Sequence, residues 1–573
     1  MMIQLNDVKI KDIVESLMGE VPFKITAALI YGPFAGGYAD SETVIDILII
    51  VESSKLILKH YFKQFNTARR TRLLVVDKRT FEKDVEKEWL GGVLAENILT
   101  PYSSLLNESY LWNQEVKAKK TVINDILTNL ILDFPEMSRI FLIKPEFFMF
   151  ELMIRRATLF PLMTYRFLNI TRSDVRERNR ILMMKGFNAA VKDLFNDGKI
   201  QLLDDGFIKI SEECISSVRK KYSCRLAGLF RNIRVSIIRH VLSVFPNIMD
   251  SLMDDYRIYK SYFIEDKSIG PPLHRLENPK KYIFIPTASG IIPFIEKITI
   301  DKFIRKYMPG NYSLKYSIKR LGGVFNSVYI LRFFEDKTER KIVVKIFKDW
   351  YGWKWFPLAL WALGTKNFTV LGKTRLEREY ALNLFLSSNG INVPRIIYVS
   401  PEEKIIFQEY IDGINASKII RQLYRGIKDK EEEEKLLNLI KQIGCEIAKV
   451  HSLGISIGDC KPENILITQD RRIFFVDLEQ AERNGDQAWD ISEFLYYSGH
   501  YALLPPLEII EKITKEFLYG YLKCGGKMGN IRKASSPRYI KVFSFFTPPH
   551  LLFTISNLCR KILKNGTELS SFN

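Results

Sequence analysis

Short apolar runs at residues 26–31, 44–51 and 73–76, rich in Ile, Val and Leu and closed by Gly, Pro or Asp, predict buried strands within residues 1–118. The first part of the chain is therefore expected to be an α/β domain. From 119 to 285 the rhythm changes: apolar residues recur at helical spacing through 122–132, 146–168, 175–194 and 215–242, which predicts a helical region. One hairpin should interrupt it, because strand-like segments at 200–203 and 207–210 flank the turn Asp204-Asp205-Gly206. Pro271-Pro272 marks a linker or turn. From 286 to the end the two patterns mix. A helix is expected at 298–307, strands at 316–321, 328–333 and 342–346, a helix through 375–382 and a strand at 404–410. Glu431-Glu432-Glu433-Glu434 reads as the acidic first turn of a helix running towards Leu453. The fold class is α+β, with domains at 1–118, 119–285 and 286–573.

Composition narrows the setting. A chain of 573 residues is too long for one core, and a hydrophobic content of 47% can fill several. Lys+Arg 85 against Asp+Glu 66 gives a net charge of +19, which fits an anionic partner such as RNA, DNA or a membrane surface, or simply a lysine-rich proteome. The charge is diffuse and no long basic run separates the two. No apolar run approaches the roughly 20 residues of a membrane span, and the N-terminus carries charges inside its first apolar stretch, unlike a signal peptide. The six cysteines, Cys214, Cys224, Cys445, Cys460, Cys524 and Cys559, show neither C-x-x-C spacing nor a dense disulfide pattern. A reducing, cytoplasmic setting is expected. His451 and His500 have no metal-ligand spacing, so no zinc site is expected. Residues 350–363 hold Trp350, Trp353, Trp355 and Trp361, four of the seven tryptophans. So dense an aromatic patch should pack internally, with a docking surface for a substrate or membrane as the alternative.

The chemistry concentrates in Asp459-Cys460-Lys461-Pro462-Glu463-Asn464 and, one hairpin later, Phe475-Val476-Asp477-Leu478. The offsets resemble the protein-kinase arrangement, which implies an Asp that orients the acceptor hydroxyl, a Lys two residues on that neutralises the γ-phosphate, and an Asn five residues on that holds Mg²⁺ with an Asp at a later strand end. Upstream, Gly322 and Gly323 occupy a turn between two strands, where small residues let backbone N–H groups approach phosphates. Lys345 lies in the middle of the apolar strand Ile342-Val343-Val344-Lys345-Ile346, where a buried ammonium needs a carboxylate partner. Glu379 is the expected partner and Glu377 the second choice.

Taken in order, these pieces resemble the protein kinases over roughly the last half of the chain. The resemblance implies ATP and Mg²⁺ as cofactors, with Gly322, Gly323, Lys345 and Glu379 serving the nucleotide phosphates. Phe407-Gln408-Glu409-Tyr410-Ile411-Asp412-Gly413 would be the hinge, with Gln408 as gatekeeper and backbone groups of Glu409 and Ile411 on the adenine edge. Asp459 and Lys461 would be catalytic, and Asn464 and Asp477 would hold the metal. The departures point to a subfamily. Ile457-Gly458-Asp459 replaces H-R-D, Asp477-Leu478-Glu479 replaces D-F-G, and no A-P-E is found downstream. This is similar to the atypical RIO and KEOPS-associated kinases of archaea and eukaryotes, and Asp490 resembles their lobe-stabilising Asp. Lacking the Arg of H-R-D and the pivot glycine, the site should be set by domain contacts or partners rather than by a phosphorylated loop. Cys460 is expected to be a small residue at a packed turn, with oxidation sensing as the alternative.

Two further resemblances lie upstream. The loop Gly32-Pro33-Phe34-Ala35-Gly36-Gly37 and the strand bearing Asp46 resemble the polymerase-β type of nucleotidyltransferase. Val44 and Pro33 stand where that family has a carboxylate and a serine, so a degenerate domain is expected, with Asp77 as the remaining third carboxylate. Helix and hairpin around 189–210 resemble the end of a winged-helix unit. Arg172, Arg176, Arg178, Arg180, Arg219, Lys220, Lys221 and Arg225 would then track the phosphates of RNA or a ribonucleoprotein, although interspersed Glu177, Asp193, Glu212 and Glu213 favour a solvated face. The function expected is an atypical serine/threonine protein kinase acting on a protein substrate or on itself. The alternatives are a RIO-like ATPase switch, a small-molecule kinase of the aminoglycoside or choline type, against which Lys461 argues, and a nucleotide-bound scaffold.

Overall fold

A computed structural model describes residues 23–64, 70–221, 246–263, 275–307, 316–322, 327–335, 338–349, 368–501, 506–545 and 547–569. The chain divides into two compact units, Met1–Ile285 and Pro286–Asn573.

In the first unit, β1 (Ile25–Tyr31), β2 (Ile45–Val51), β3 (Leu58–Gln64), β4 (Arg70–Asp77) and β5 (Ser103–Leu106) form one sheet in the order β3-β4-β2-β1-β5. β2 and β4 are parallel and the other neighbours antiparallel. All seven residues of β2 are buried, as a strand covered on both faces requires, and this is why its sequence is an almost unbroken apolar run. Edge strands β3 and β5 carry Lys, His, Gln and Ser, and their pattern is too mixed to announce a strand. Helix α1 (Lys78–Lys87) starts at Asp77, whose side chain accepts from Thr80 N at 2.9 Å and Ile57 N at 2.9 Å.

The helical region continues as α2 (Glu108–Asp133), then β6 (Leu142–Ile143), then α3 (Glu146–Leu159) and α4 (Met163–Ile170). The single helix expected over 146–168 is broken between α3 and α4, where Pro161 has no N–H to continue it. After α5 (Arg176–Asn196) the expected hairpin forms as β7 (Ile200–Leu202) and β8 (Ile208–Ile210), and β8 pairs with β6 at Ile208 and Ile143. α6 (Glu212–Lys221) and α7 (Pro246–Phe263) complete the helices, and β9 (Ile283–Thr287) pairs with β6 through Ile283 and Phe284. The arginines read as a phosphate-tracking face are engaged within the unit. Arg172 pairs with Asp174 at 2.9 Å, Arg176 with Glu277 at 2.5 Å, Arg180 with Glu177 at 2.7 Å and Arg219 with Glu136 at 3.0 Å. Arg178 donates to the Ala35 carbonyl at 3.1 Å. The rest of the helix expected over 215–242, the side chains of Lys220 and Lys221, Arg225 and Pro271-Pro272 lie outside the described residues.

The second unit opens with β10 (Gly290–Pro293) and α8 (Ile300–Tyr307). β11 (Ser317–Gly322), β12 (Ser327–Glu335) and β13 (Thr338–Ile346) then precede helix α9 (Gly372–Ser388), and β14 (Ile396–Ser400) and β15 (Ile405–Glu409) complete an antiparallel sheet ordered β11-β12-β13-β15-β14. A hydrophobic core lies in the remainder of the unit, among β16 (Gly413–Asn415), α10 (Ala416–Tyr424), α11 (Lys430–Ser452), β17 (Ile455–Ser456), β18 (Ile465–Thr468), β19 (Ile473–Phe475), β20 (Glu482–Arg483), α12 (Gln487–Ser498), α13 (Leu507–Lys523), α14 (Met528–Ala534), α15 (Pro537–Phe543) and α16 (Pro549–Leu569). Ile443, Ile447, Phe475, Phe494, Phe517 and Tyr521 are among its members. The architecture is mixed α+β, as expected.

The cysteines form no dense disulfide pattern among the described residues, but one pair, Cys445 and Cys524, 79 residues apart, is joined. A Cβ on Gly444 would collide with the Phe517 carbonyl and one on Gly520 with the Lys441 carbonyl, so these two glycines let α11 and α13 approach backbone to backbone. That approach brings Cys445 next to the end of α13, and nothing in the linear spacing foretells it. Cys214, Cys460 and Cys559 are free. Among the described residues no helix is long and apolar enough to cross a membrane. The tryptophan-rich stretch 350–363 and the turn residues 323–326 lie outside the described residues.

Candidate active site

Lys345 is the penultimate residue of β13, paired with Val328 on β12 and Ile406 on β15. Its ammonium reaches Glu379 Oε1 on α9 at 2.8 Å and Asp477 Oδ1 at 3.3 Å. Helix α9 thus presents Glu379, not the second choice Glu377, with Leu376 and Tyr380 buried beside it. Burial works against the charge on Lys345, but Asp477 and Glu379 outweigh it and hold the ammonium above its ordinary pKa. Asp477 follows β19 in the left-handed region at φ 71°, a conformation that costs a non-glycine residue roughly 1 kcal/mol. Burial raises its carboxyl, yet Lys345 and Lys461 more than reverse this and keep it below the usual aspartate range.

The second cluster is built on the loop after β17. Gly458 supplies the positive φ of 78° that turns the chain. Asp490 on α12 accepts from Ile457 N and Gly458 N, each at 2.7 Å, and contacts His451 Nε2 at 2.9 Å, while His451 Nδ1 meets the Tyr521 hydroxyl at 2.8 Å. The loop held this way points Asp459 at Lys461 Nζ, 2.9 Å away, and at Asn464 Nδ2, also 2.9 Å away. Burial pushes the Lys461 ammonium down, but Asp459 prevails and raises it. Val476 N donates to Asn464 O at 2.9 Å, which ties this loop to the strand end bearing Asp477. Exposure separates the roles: the side chains of Lys345 and Glu379 are 6% and 2% exposed, whereas those of Asp459, Lys461 and Asp477 are 20%, 27% and 30% exposed. The second group is open enough to touch a ligand.

Asn464 and Asp477 offer one amide oxygen and one carboxylate, a hard-oxygen set that suits Mg²⁺, since this ion keeps several waters and takes phosphate oxygens besides one or two protein ligands. Two residues of the expected hinge lie on β15. Gln408 is buried, with its amide oxygen unpartnered, and the Glu409 N–H donates to Arg395 O at 2.9 Å. That N–H is already used, leaving other backbone groups of Glu409 and Ile411 for an adenine edge. Gly322 ends β11, while Gly323 lies outside the described residues.

Sequence reasoning singled out Asp490 but missed the groups that fasten the stretch after Asp477. Arg375 on α9 donates from one guanidinium nitrogen to both carboxylate oxygens of Glu479 at 3.1 Å and from another to the Lys348 carbonyl. Gln480 accepts from Thr369 N at 2.9 Å and donates to Thr369 O at 3.2 Å. The stretch after Asp477 is therefore fastened to α9 and its lead-in. Arg375 lies one helical turn before Glu379, the only hint the sequence offers. Cys460 is fully buried and burial pushes its thiol well up, which fits a packing role at the turn.

The first unit has its own buried polar cluster. Strand register places Asp46 opposite Arg72, and the two form an ion pair at 3.4 Å. Ser251 donates to Asp46 at 2.9 Å, Arg72 pairs with Asp254 at 2.6 Å, and Arg166 pairs with Asp255 at 2.7 Å. Burial lifts the Asp46 carboxyl to about 6 despite Arg72. Asp77 stands opposite Val51, five positions further along the strand, and caps α1. An arginine, not a second carboxylate, faces Asp46.

Comparison with known proteins bears on the second unit. The lipopolysaccharide kinase (Kdo/WaaP) family matches residues 331–495. The KEOPS complex subunit Bud32 of Pyrococcus abyssi is 29% identical over 112 residues, 20% of this chain and 47% of that protein. A 3-deoxy-D-manno-octulosonic acid kinase of Vibrio parahaemolyticus is 27% identical over 124 residues, covering 21% and 50%. A probable serine/threonine-protein kinase BUD32 homolog of Archaeoglobus fulgidus is 26% identical over 165 residues, covering 29% and 73%. The chain spans about half the length of the first of these relatives. These matches support a phosphotransferase of atypical kinase type.

Proposed function

We propose that this chain is an ATP- and Mg²⁺-dependent kinase that transfers a phosphoryl group to a serine or threonine hydroxyl of a protein. The observation that carries the reading is the pair of adjoining clusters, Lys345–Glu379–Asp477 and Asp459–Lys461–Asn464, linked by the Val476–Asn464 hydrogen bond. Lys345, kept cationic, contacts the α- and β-phosphates. Asn464 and Asp477 would hold the metal, which would supply positive charge to offset that of the phosphates. Asp459 accepts the hydrogen bond of the acceptor hydroxyl and aligns its oxygen with the γ-phosphorus. The new O–P bond forms as the bond to the ADP oxygen breaks, ADP leaves with that electron pair, and the hydroxyl proton passes to Asp459. Lys461, paired with Asp459 before the reaction, is within reach to follow the charge onto the transferred group.

A second reading has a specific support: the matched family is named for lipopolysaccharide kinases, and three relatives from Vibrio are named 3-deoxy-D-manno-octulosonic acid kinase. The same atoms would then serve a sugar hydroxyl. Incubation of the chain with ATP and Mg²⁺, followed by intact mass and ADP release, separates the readings. Phosphorylated protein that disappears in Asp459→Ala and Asp477→Ala, each lowered about 10²- to 10⁴-fold, supports protein transfer. Turnover that needs added 3-deoxy-D-manno-octulosonic acid supports the sugar, and no turnover with either acceptor would refute both.

A further inference from the structure

Helix α12 carries the loop of Asp459 on one face. Asp490 accepts the N–H groups of Ile457 and Gly458, and one helical turn on, Glu493 Oε2 accepts the Cys460 N–H at 2.6 Å and the Trp489 indole N–H at 3.0 Å. Just past the helix, Tyr501 donates to Glu463 at 2.5 Å. The contacts track the loop in order, and the two amides flanking Asp459, those of Gly458 and Cys460, are each held by a carboxylate of α12.

Glu493 is 7% exposed. Its surroundings oppose a charge there, since burial, Asp459 and Asp490 all push its carboxyl up, with Lys461 the cation acting the other way. An apolar side chain would be cheaper to bury but would leave the Cys460 N–H unpaired. A buried acid is retained where only an oxygen acceptor fixes that peptide.

On the phosphotransferase reading proposed for this site, we infer that Glu493 is a positioning residue for Asp459: by holding the Cys460 amide it sets the direction in which the Asp459 carboxylate projects towards the acceptor hydroxyl. It touches neither nucleotide nor acceptor. A displacement of this carboxylate by an ångström is enough to cost about 10²-fold in rate. The contacts of Lys345 and Glu379 come from other elements, so nucleotide affinity should not change with it.

The test uses the full chain with Glu493→Ala, Glu493→Gln and Glu493→Met, the last preserving volume should the alanine variant unfold. The readouts are kcat, KM for ATP, and amide hydrogen exchange across residues 457–464. The expected result is a kcat lowered roughly 10- to 100-fold in the Ala and Met variants with KM for ATP unchanged. Glu493→Gln, which keeps an oxygen acceptor, should recover most of the rate. Exchange should quicken at the Cys460 amide and not at Gly458, which Asp490 still holds. Unchanged kcat in Glu493→Ala beside an active wild type overturns the inference, as does a loss that Glu493→Gln does not relieve. If the wild type shows no turnover, the phosphotransferase reading fails by itself, and Cys460 exchange that is the same in wild type and Glu493→Ala overturns the positioning role.

Discussion

A single carboxylate facing an arginine, as Asp46 faces Arg72, has a measurable signature in pH. The folded chain keeps the Asp46 proton up to about pH 6, whereas an ordinary unfolded aspartate releases it near 4. Between those values the native state binds more protons than the unfolded one, so stability must fall as pH rises through the window and level off above it. The size is about 2 to 3 kcal/mol, and the raised carboxyls of Asp255 and Glu96 add in the same direction. Urea unfolding of the full chain at pH 4, 5, 6 and 7 should show this decline, and Asp46→Asn should flatten it. A slope unchanged by Asp46→Asn would contradict the assignment. At this scale the sequence discloses what is local. Asp459, Lys461 and Asn464 sit within six residues, and a short loop can only bring them together. It conceals what is remote: Arg72 facing Asp46, Arg375 facing Glu479 and Glu493 under Cys460 are pairings that only the folded backbone creates.

Helix α9 carries two charges to one neighbourhood, Glu379 to Lys345 and Arg375 to Glu479. A glycine at 479 would let the segment after Asp477 swing, but a buried glutamate paired with Arg375 fixes it to the helix that orients Lys345. Breaking a buried ion pair by removing one partner costs about 3 to 5 kcal/mol, whereas replacing both with apolar residues of similar volume can be close to neutral. Arg375→Met should therefore lower stability and weaken binding of an ATP analogue, both recovering in Arg375→Met/Glu479→Met. Denaturant titration and calorimetry check this, and a double variant no better than the single one would count against the tether. A strand buried on both sides, such as β2, is plain in the sequence. Edge strands β3 and β5 are not, because one side meets solvent and its residues vary freely. The break between α3 and α4 shows in the sequence only as Pro161, inside an apolar rhythm that runs on through both helices.

For the whole molecule, composition points towards anionic partners without saying where the charge lies, and several of the arginines singled out are consumed by internal ion pairs. Every described residue of the proposed site belongs to Pro286–Asn573, while the first unit holds its own neutralised cluster. The disulfide is invisible at every level of the sequence, because it depends on two glycines letting α11 and α13 touch. Its span, Cys445 to Cys524, encloses Asp459, Lys461, Asn464, Asp477 and Glu493. Under tension this becomes a matter of length. Pulled from its two ends in an optical trap, the oxidised chain cannot extend through the bridged 79 residues, and its fully stretched contour should be shorter by roughly 260 to 280 Å than that of the reduced chain. The segment that would position a phosphate is thus the one stretch of the second unit that force applied at the termini never straightens until the sulfur bond is cut.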